Sequence, residues 1–462
     1  MSRLQHQGWR PLSGWWLSVF LLLSALSLML PPMQSPDENA HLLRAGMLAQ
    51  GQWRLQPAPA DTPRDLAGLG GWVDKNLIDF SSTYLAVATR TQGKSPSEIK
   101  TQVASLHWAL ETAFYPVPGT GYYFPLIYAP QAIALGVGRA ANLTVAHSYQ
   151  LVRTTTLLVV CTLLALAWGR LPPNPAIVAI LTLPMGLFQA VSPTLDGITT
   201  ALAVLAISQF LTHLAKHPGD RPFPWGLCIC LFFLVTSRTH LLPLLLLPML
   251  LAWQDRTKLA WLGWIALSLS SLLWVLYAVA STTDVRIVRN QTTSDLLRLY
   301  AYQPQDFLRL IWSTFQHHDL PHFYWQSFIG ILGWLDTPLR KADYSILGIC
   351  LAIAAIASIS WHRWRTDFRC RALLLLVAFT SAAMVFLALA LTWTPYPAQA
   401  IEGVQGRYFT IPALLFGYAL SGQDTGQLMA SRPWTVWITV LVALASLAAL
   451  VLTLRDRYHF LV

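Results

Sequence analysis

Apolar stretches alternate with short polar links along most of the chain. The first runs from Gly14 to Leu30, and others fall at 149–169, 175–192, 198–215, 223–236, 240–254, 258–280, 343–360, 371–394, 407–420 and 433–454. A helix needs about 20 apolar residues to cross a bilayer core of about 30 Å, and several of these stretches reach that length. The pattern predicts an all-α polytopic membrane protein. Two long polar segments interrupt it, Met33 to Gly121 and Ser281 to Ala342. Arg3 and Arg10 precede the first stretch and no small-x-small cleavage site follows it, so it reads as an uncleaved span rather than a signal peptide. No fixed-period repeat and no low-complexity tract is present.

Composition narrows the class further. Of 462 residues, 55% are hydrophobic and 11% charged, where a soluble domain carries about 25% charged. Neither a disordered chain nor a large soluble enzyme fits. The net charge of +10 comes from 31 Lys and Arg against 21 Asp and Glu, placed mainly in the links. No basic stripe with interleaved aromatics occurs in a polar segment, so no nucleic-acid partner is expected. Cys161, Cys228, Cys230 and Cys350 lie in apolar stretches and Cys370 in an Arg-rich link, which leaves no disulfide framework in the polar segments. Cys228 and Cys230 are too close together for a zinc knuckle and read as packing residues.

Residues 122–138 decide the topology. They are barely long enough to span and contain Pro125 and Pro130. If they lie in the interface, the inner links carry Arg3, Arg10, Arg170, Lys216, Arg221, Arg256, Lys258, Arg363, Arg365, Arg369, Arg371 and Arg432. The short outer segments then carry only Arg238, Arg407, Arg455 and Arg457. The positive-inside rule favours this arrangement: about eleven spans, N-terminus in the cytoplasm, C-terminus outside, and 122–138 as a half-buried juxtamembrane helix. An apolar run at 323–335 is the alternative source of a span. The first polar segment, 33–121, becomes a long extracytoplasmic loop with amphipathic juxtamembrane helices, and 281–342 a second outer loop.

The unusual polar residues then gather at the outer ends of the spans. Ser35 reads as a helix N-cap, with Pro36 first in the helix and Glu38 completing a capping box. Asp37, His41 and Arg44 fall on one face of that helix, and Asp37 has no capping duty. Asp196, after Ser192-Pro193, is either a helix N-cap or a functional acid, because a carboxylate beside apolar flanks is costly unless solvated or paired. Arg238 and His240 sit in a tight turn, where the arginine either snorkels to headgroups or binds substrate. Trp334 beside Asp336 suits sugar stacking, although tryptophan is common at membrane interfaces. Gln405, Arg407 and Tyr408 lie among glycines at a membrane edge, where Arg407 can grip a lipid-borne phosphate through paired bonds.

Weaker signals are His317-His318-x3-His322, which reads as a solvated loop, and glycosylation patterns at Asn142 and Asn290. No nucleotide-binding loop, nucleophile elbow or zinc-protease motif occurs. The inner links are too short for a nucleotide-binding domain, so an activated substrate must arrive from the membrane or from outside.

Four motifs in order carry a resemblance: Pro36-Asp37-Glu38-Asn39-Ala40-His41, Leu183 to Pro193 with Asp196, Gly333-Trp334-Leu335-Asp336-Thr337-Pro338, and Val404-Gln405-Gly406-Arg407-Tyr408-Phe409. Over about residues 15–420 the chain resembles the bacterial membrane family known as domain of unknown function 2142. That family looks like a branch of the C-type glycosyltransferase (GT-C) superfamily, which includes protein O-mannosyltransferases and lipid A aminoarabinose transferases. The resemblance implies a GT-C-like module over 1–420, with 421–462 a C-terminal link and last helix, in the bacterial plasma membrane.

It also implies an inverting transferase that takes a sugar from a polyprenyl-phosphate carrier to a cell-surface glycan or lipid acceptor. Asp37, with Glu38, matches the superfamily's first-loop acid and Asp196 a second outer acid. These three are the implied catalytic residues and the implied ligands of a divalent cation such as magnesium or manganese. His41, Arg44, Arg238, His240, Trp334, Asp336, Gln405, Arg407 and Tyr408 are the expected substrate-binding set. A flippase or transporter, and a polymerase or ligase of lipid-linked polysaccharide, are the alternatives.

Overall fold

The computed structural model describes residues 9–60, 62, 68–91, 96–217, 221–282, 291–361, 367–422 and 432–458. Arg3, Arg363, Arg365 and Asn290, weighed above, lie outside the described residues. The first helix, α1 (Trp9–Leu28), leads into a polar region holding α2 (Glu38–Ala49), α3 (Lys75–Ala88) and α4 (Pro96–Ala104). Then follow α5 (Ala129–Ala140), α6 (Val145–Trp168), α7 (Pro175–Thr182), α8 (Pro184–Val191) and α9 (Leu195–Leu214). The middle of the chain forms α10 (Trp225–Ser237), α11 (Leu246–Asp255) and α12 (Lys258–Ser281). Next come α13 (Thr293–Tyr302), α14 (Pro304–Gln316), α15 (Leu320–Gly330), α16 (Lys341–Ala357), α17 (Phe368–Thr392), α18 (Thr410–Ser421) and α19 (Trp434–Tyr458).

The protein is an α-helical membrane protein. Among the described residues, five helices are long and apolar enough to cross a bilayer: α6, α9, α12, α17 and α19. Other apolar stretches are divided. Pro184 separates α7 from α8, because its ring cannot continue the helix of the residues before it. The stretch 240–254 is split into a 3₁₀ segment, Thr239–Leu245, and α11. At 407–420 a 3₁₀ turn, Gly406–Phe409, precedes α18.

Neither ambiguous segment forms a helix of spanning length. Residues 118–128 make two 3₁₀ turns, and α5 is 12 residues long. It buries Gln131, Leu135 and Gly138 against α2 and α6 while Ile133 and Val137 stay exposed. The run at 323–335 is the end of the 11-residue α15 followed by a two-stranded hairpin, Ile331–Leu332 with Thr337–Pro338.

The first polar segment holds more than helices. Strands Gln56–Pro57, Leu69–Asp74 and Thr112–Pro116 form an antiparallel sheet in chain order, with Gly71 opposite Tyr115 and Val73 opposite Ala113. Asp74 ends the central strand and caps α3, accepting from Asn76 N at 3.0 Å, and it also takes Ala109 N and Leu110 N at 3.1 and 3.0 Å. Strands this short carry little period-2 signal, and an all-helical expectation passed over them.

Buried arginines close helix ends. Arg153 on α6 donates to Leu30 O at 2.7 Å and Ser27 O at 2.6 Å, satisfying carbonyls where α1 runs out. Arg371 does the same for α18, reaching Leu420 O at 2.7 Å and Ser421 O at 3.0 Å. Arg371 is 1% exposed, so this link arginine clamps a helix end.

Candidate functional site

Four chain segments meet where α2, α9, α10 and α18 begin or end. Asp196 stands in the first turn of α9, Arg238 directly after α10, and Arg407 in the 3₁₀ turn before α18. Asp37 stands before α2. It occupies the N-cap position in the left-handed region, φ 63°, and makes no capping bond. Aspartate tolerates that conformation better than most residues, and non-glycine residues held there cluster at functional sites.

Glu38 makes this placement possible. Its carboxylate accepts from Met33 N at 3.0 Å and Ser35 N at 3.1 Å, and from the Tyr149 hydroxyl. The expected cap is therefore reversed. Among the described residues Ser35 Oγ has no partner, the helix starts at Glu38 rather than Pro36, and the Glu38 carboxylate closes the turn. Burial pushes its carboxyl above the usual carboxylate range, against the lowering by Arg153 and by these bonds. Asp37 is then left free to face outward.

Arg407 joins the two acids. Its Nη2 lies 3.1 Å from Asp37 Oδ2 and its Nη1 3.2 Å from Asp196 Oδ2. Arg238 bonds the other Asp196 oxygen, and Gln189 Nε2 donates to Oδ2 at 3.3 Å. The side chain of Arg407 is 4% exposed and that of Asp196 13%, whereas Asp37 is 56% exposed. Two arginines and two carboxylates balance in charge, which lets three of them sit almost dry. Gly406 permits the approach of α15 to this turn: a Cβ there would fall 2.0 Å from Phe328 N. Its own N–H donates to Ser327 Oγ at 2.8 Å.

Aromatic groups wall the cluster. Arg238 lies over the Tyr123 ring at 5.6 Å and Arg407 over Tyr408 at 5.4 Å. His41 Nδ1 is 2.9 Å from the Tyr128 hydroxyl. Burial lowers the His41 pKa to about 4, opposed by the charges of Asp37 and Asp196, so its ring is neutral at neutral pH. Burial likewise pushes Tyr123 up to about 12 and Tyr128 well above 10. His240 is near enough to feel both Arg238 and Asp196.

Several expected residues do other work. Arg44 donates to Gln52 O at 2.9 Å and Trp53 O at 2.6 Å, fixing the loop after α2. Trp334 Nε1 donates to Met33 O at 2.9 Å, tying the second polar segment to the first. Asp336 pairs with Arg457 at 2.9 Å and Arg90 at 3.7 Å. The three acids do not form a metal site. Both oxygens of Glu38 are committed to backbone N–H groups, and Asp37 and Asp196 face arginine, a donor set unsuited to a divalent cation. Among the described residues no group of three His, Cys, Asp or Glu can hold a metal ion. Sequence reasoning missed Gln189, Tyr123 and Tyr128. Gln189 lay within the quoted motif, three residues before Ser192, while both tyrosines lay in 122–138, read as a juxtamembrane helix.

A model of predicted membrane proteins, DUF2142, matches residues 20–416. The chain belongs to that family. The DUF2142 match runs from within α1 into α18 and takes in Asp37, Asp196, Arg238 and Arg407. No curated protein and no solved structure matches the chain.

Proposed function

We propose that this DUF2142 protein is an inverting glycosyltransferase that moves a sugar from a polyprenyl-phosphate carrier to a surface glycan or lipid. In this reading it crosses the bacterial plasma membrane eleven times, with its N-terminus in the cytoplasm and the Arg407 cluster outside. The observation that carries the reading is the bridge Asp37–Arg407–Asp196. It sets a solvent-reachable carboxylate against a buried guanidinium, the pair needed to take a proton and to hold a phosphate.

An apolar groove supports the choice of a lipid donor. Two hollows of about 300 and 350 Å³ share Trp325, Phe328, Ala413 and Phe416, and the second reaches Phe409. Phe379 on its rim is 66% exposed and Phe416 43%. A prenyl tail laid there places its phosphate at the 3₁₀ turn that carries Arg407.

The chemistry follows from the placement. The donor phosphate competes for Arg407 Nη2–H and releases Asp37 from its partner. Asp37 takes the proton of the acceptor hydroxyl as that oxygen bonds to the anomeric carbon. The bond from that carbon to the phosphate oxygen breaks, and the lipid phosphate leaves with the electron pair. General base catalysis of this kind contributes about 10²- to 10⁴-fold. The buried Arg407 and the largely buried Arg238 stabilise the charge on the leaving phosphate, and Asp196 holds both guanidinium groups in place. The test is a comparison of envelope glycans by mass spectrometry in cells with and without the chain. A glycan lacking one sugar in the deletion, restored by complementation, is expected; identical glycans contradict the proposal.

A further inference from the structure

We propose that a third hollow, beside the Arg407 cluster, binds a neutral sugar ring, the accepting end of a glycan. It has a volume of about 600 Å³ and lies between α15 and residues 395–405, within the size range of small-ligand sites. Its identity as an acceptor site rests on the transferase reading; its affinity for neutral sugars does not.

The hollow is built rather than incidental. Its floor is pinned by Ser313 Oγ donating to Gln399 O at 2.7 Å, Ile401 N to Thr314 Oγ1 at 2.9 Å, and Glu402 N to Thr394 Oγ1 at 3.1 Å. Gly403 turns at φ +76°, where a Cβ would strike the Trp393 ring at 2.4 Å. A floor fixed before the ligand arrives removes part of the ordering cost of binding.

Its lining matches a ring with one apolar face and many hydroxyls. Phe323, Tyr324 and Pro397 supply flat apolar surface, and Gln399, Glu402 and Gln405 supply polar groups. Among the described residues the Tyr324 hydroxyl and Gln405 Oε1 have no hydrogen-bond partner. Both residues line the hollow, and a ligand hydroxyl can meet a donor and an acceptor alike.

Charge narrows the class. Among the described residues Glu402 is the one acid that lines the hollow and His317 the one imidazole, with no Lys or Arg beside them. A uronic acid or a sugar phosphate would meet that carboxylate with no guanidinium or ammonium to balance it, so the site favours uncharged hexoses. Gln405, in the lining, stands two residues before Arg407, so the hollow borders the turn that carries the guanidinium.

The experiment is saturation-transfer NMR on the full chain in lipid nanodiscs. The probes are methyl glycosides of glucose, galactose and mannose, with methyl glucuronide as the charged comparison. Transfer to at least one neutral glycoside, and at least fivefold less to the glucuronide, is expected. Tyr324→Phe with Gln405→Leu should cut the neutral signal at least fivefold. The exposed change Glu402→Lys, which leaves the packed core untouched, should raise the glucuronide signal. No transfer to any neutral glycoside, equal transfer to the glucuronide, or signals unmoved in both variants would overturn the assignment. Asp37→Asn separates the two claims, because it should abolish transfer activity while leaving this binding intact.

Discussion

The guanidinium of Arg407 lies 3.1 Å from the carboxylate of Asp37, a residue 370 positions earlier in the chain. The same guanidinium reaches Asp196 at 3.2 Å across 211 positions. The planar fork of donors on arginine spans the two carboxylates at a fixed geometry that the compact ammonium of lysine does not reproduce, so this contact depends on more than charge.

Arg407→Lys should therefore leave the charge and lose the bridge. Turnover is expected to fall at least tenfold, with the protein still inserted. Arg407→Ala leaves Asp196 paired only to Arg238 and should lower stability by about 3 kcal/mol, the scale of breaking a buried pair. Thermal unfolding of the purified variants reads the second effect, and initial rates read the first.

His41 gives the site a pH dependence with a definite sign. Its pKa falls from 6.5 to about 4 on folding, so between these values the unfolded chain holds more protons than the folded one. Stability from this group is full above pH 6.5 and is lost as the pH falls through 4, about 3 kcal/mol in all. Melting temperatures measured from pH 7.5 to 4 should decline, and His41→Gln should flatten the decline.

Glu38 and Asp37 are neighbours with opposite duties. Glu38→Gln sets an amide group against backbone N–H donors and should cost about 1–3 kcal/mol of stability. The rate per folded molecule should stay within about threefold. A melting curve paired with an activity normalised to folded protein distinguishes the two residues. Equal loss of rate at both positions would contradict the division.

How much of this was legible in the sequence follows from cost. Asp37 stood out because it shares a helix face with His41 and Arg44 and has no capping duty, Asp196 because a carboxylate beside apolar flanks is expensive unless it is partnered, and Arg238 and Arg407 as arginines at a membrane edge. The partners turned out to be one another. Trp334 and Asp336 stood out as an aromatic near an acid, yet they pin loops, to Met33 O and to Arg457. Residue type marks a polar group that needs a partner without naming it. Tyr123 and Tyr128 were hidden because tyrosine is ordinary at a membrane edge. The break at Pro184 was readable from the proline, whereas the sheet through Gly71 and Tyr115 left no pattern long enough to detect.

The central claim is that the Asp37 carboxylate takes a proton during sugar transfer, and Asp37→Asn tests it most directly. The variant keeps the size and the left-handed backbone preference of the residue and removes its charge and its basicity. At matched membrane abundance, the rate of glycan modification should fall at least a hundredfold. A variant that modifies the glycan at the wild-type rate would contradict the account.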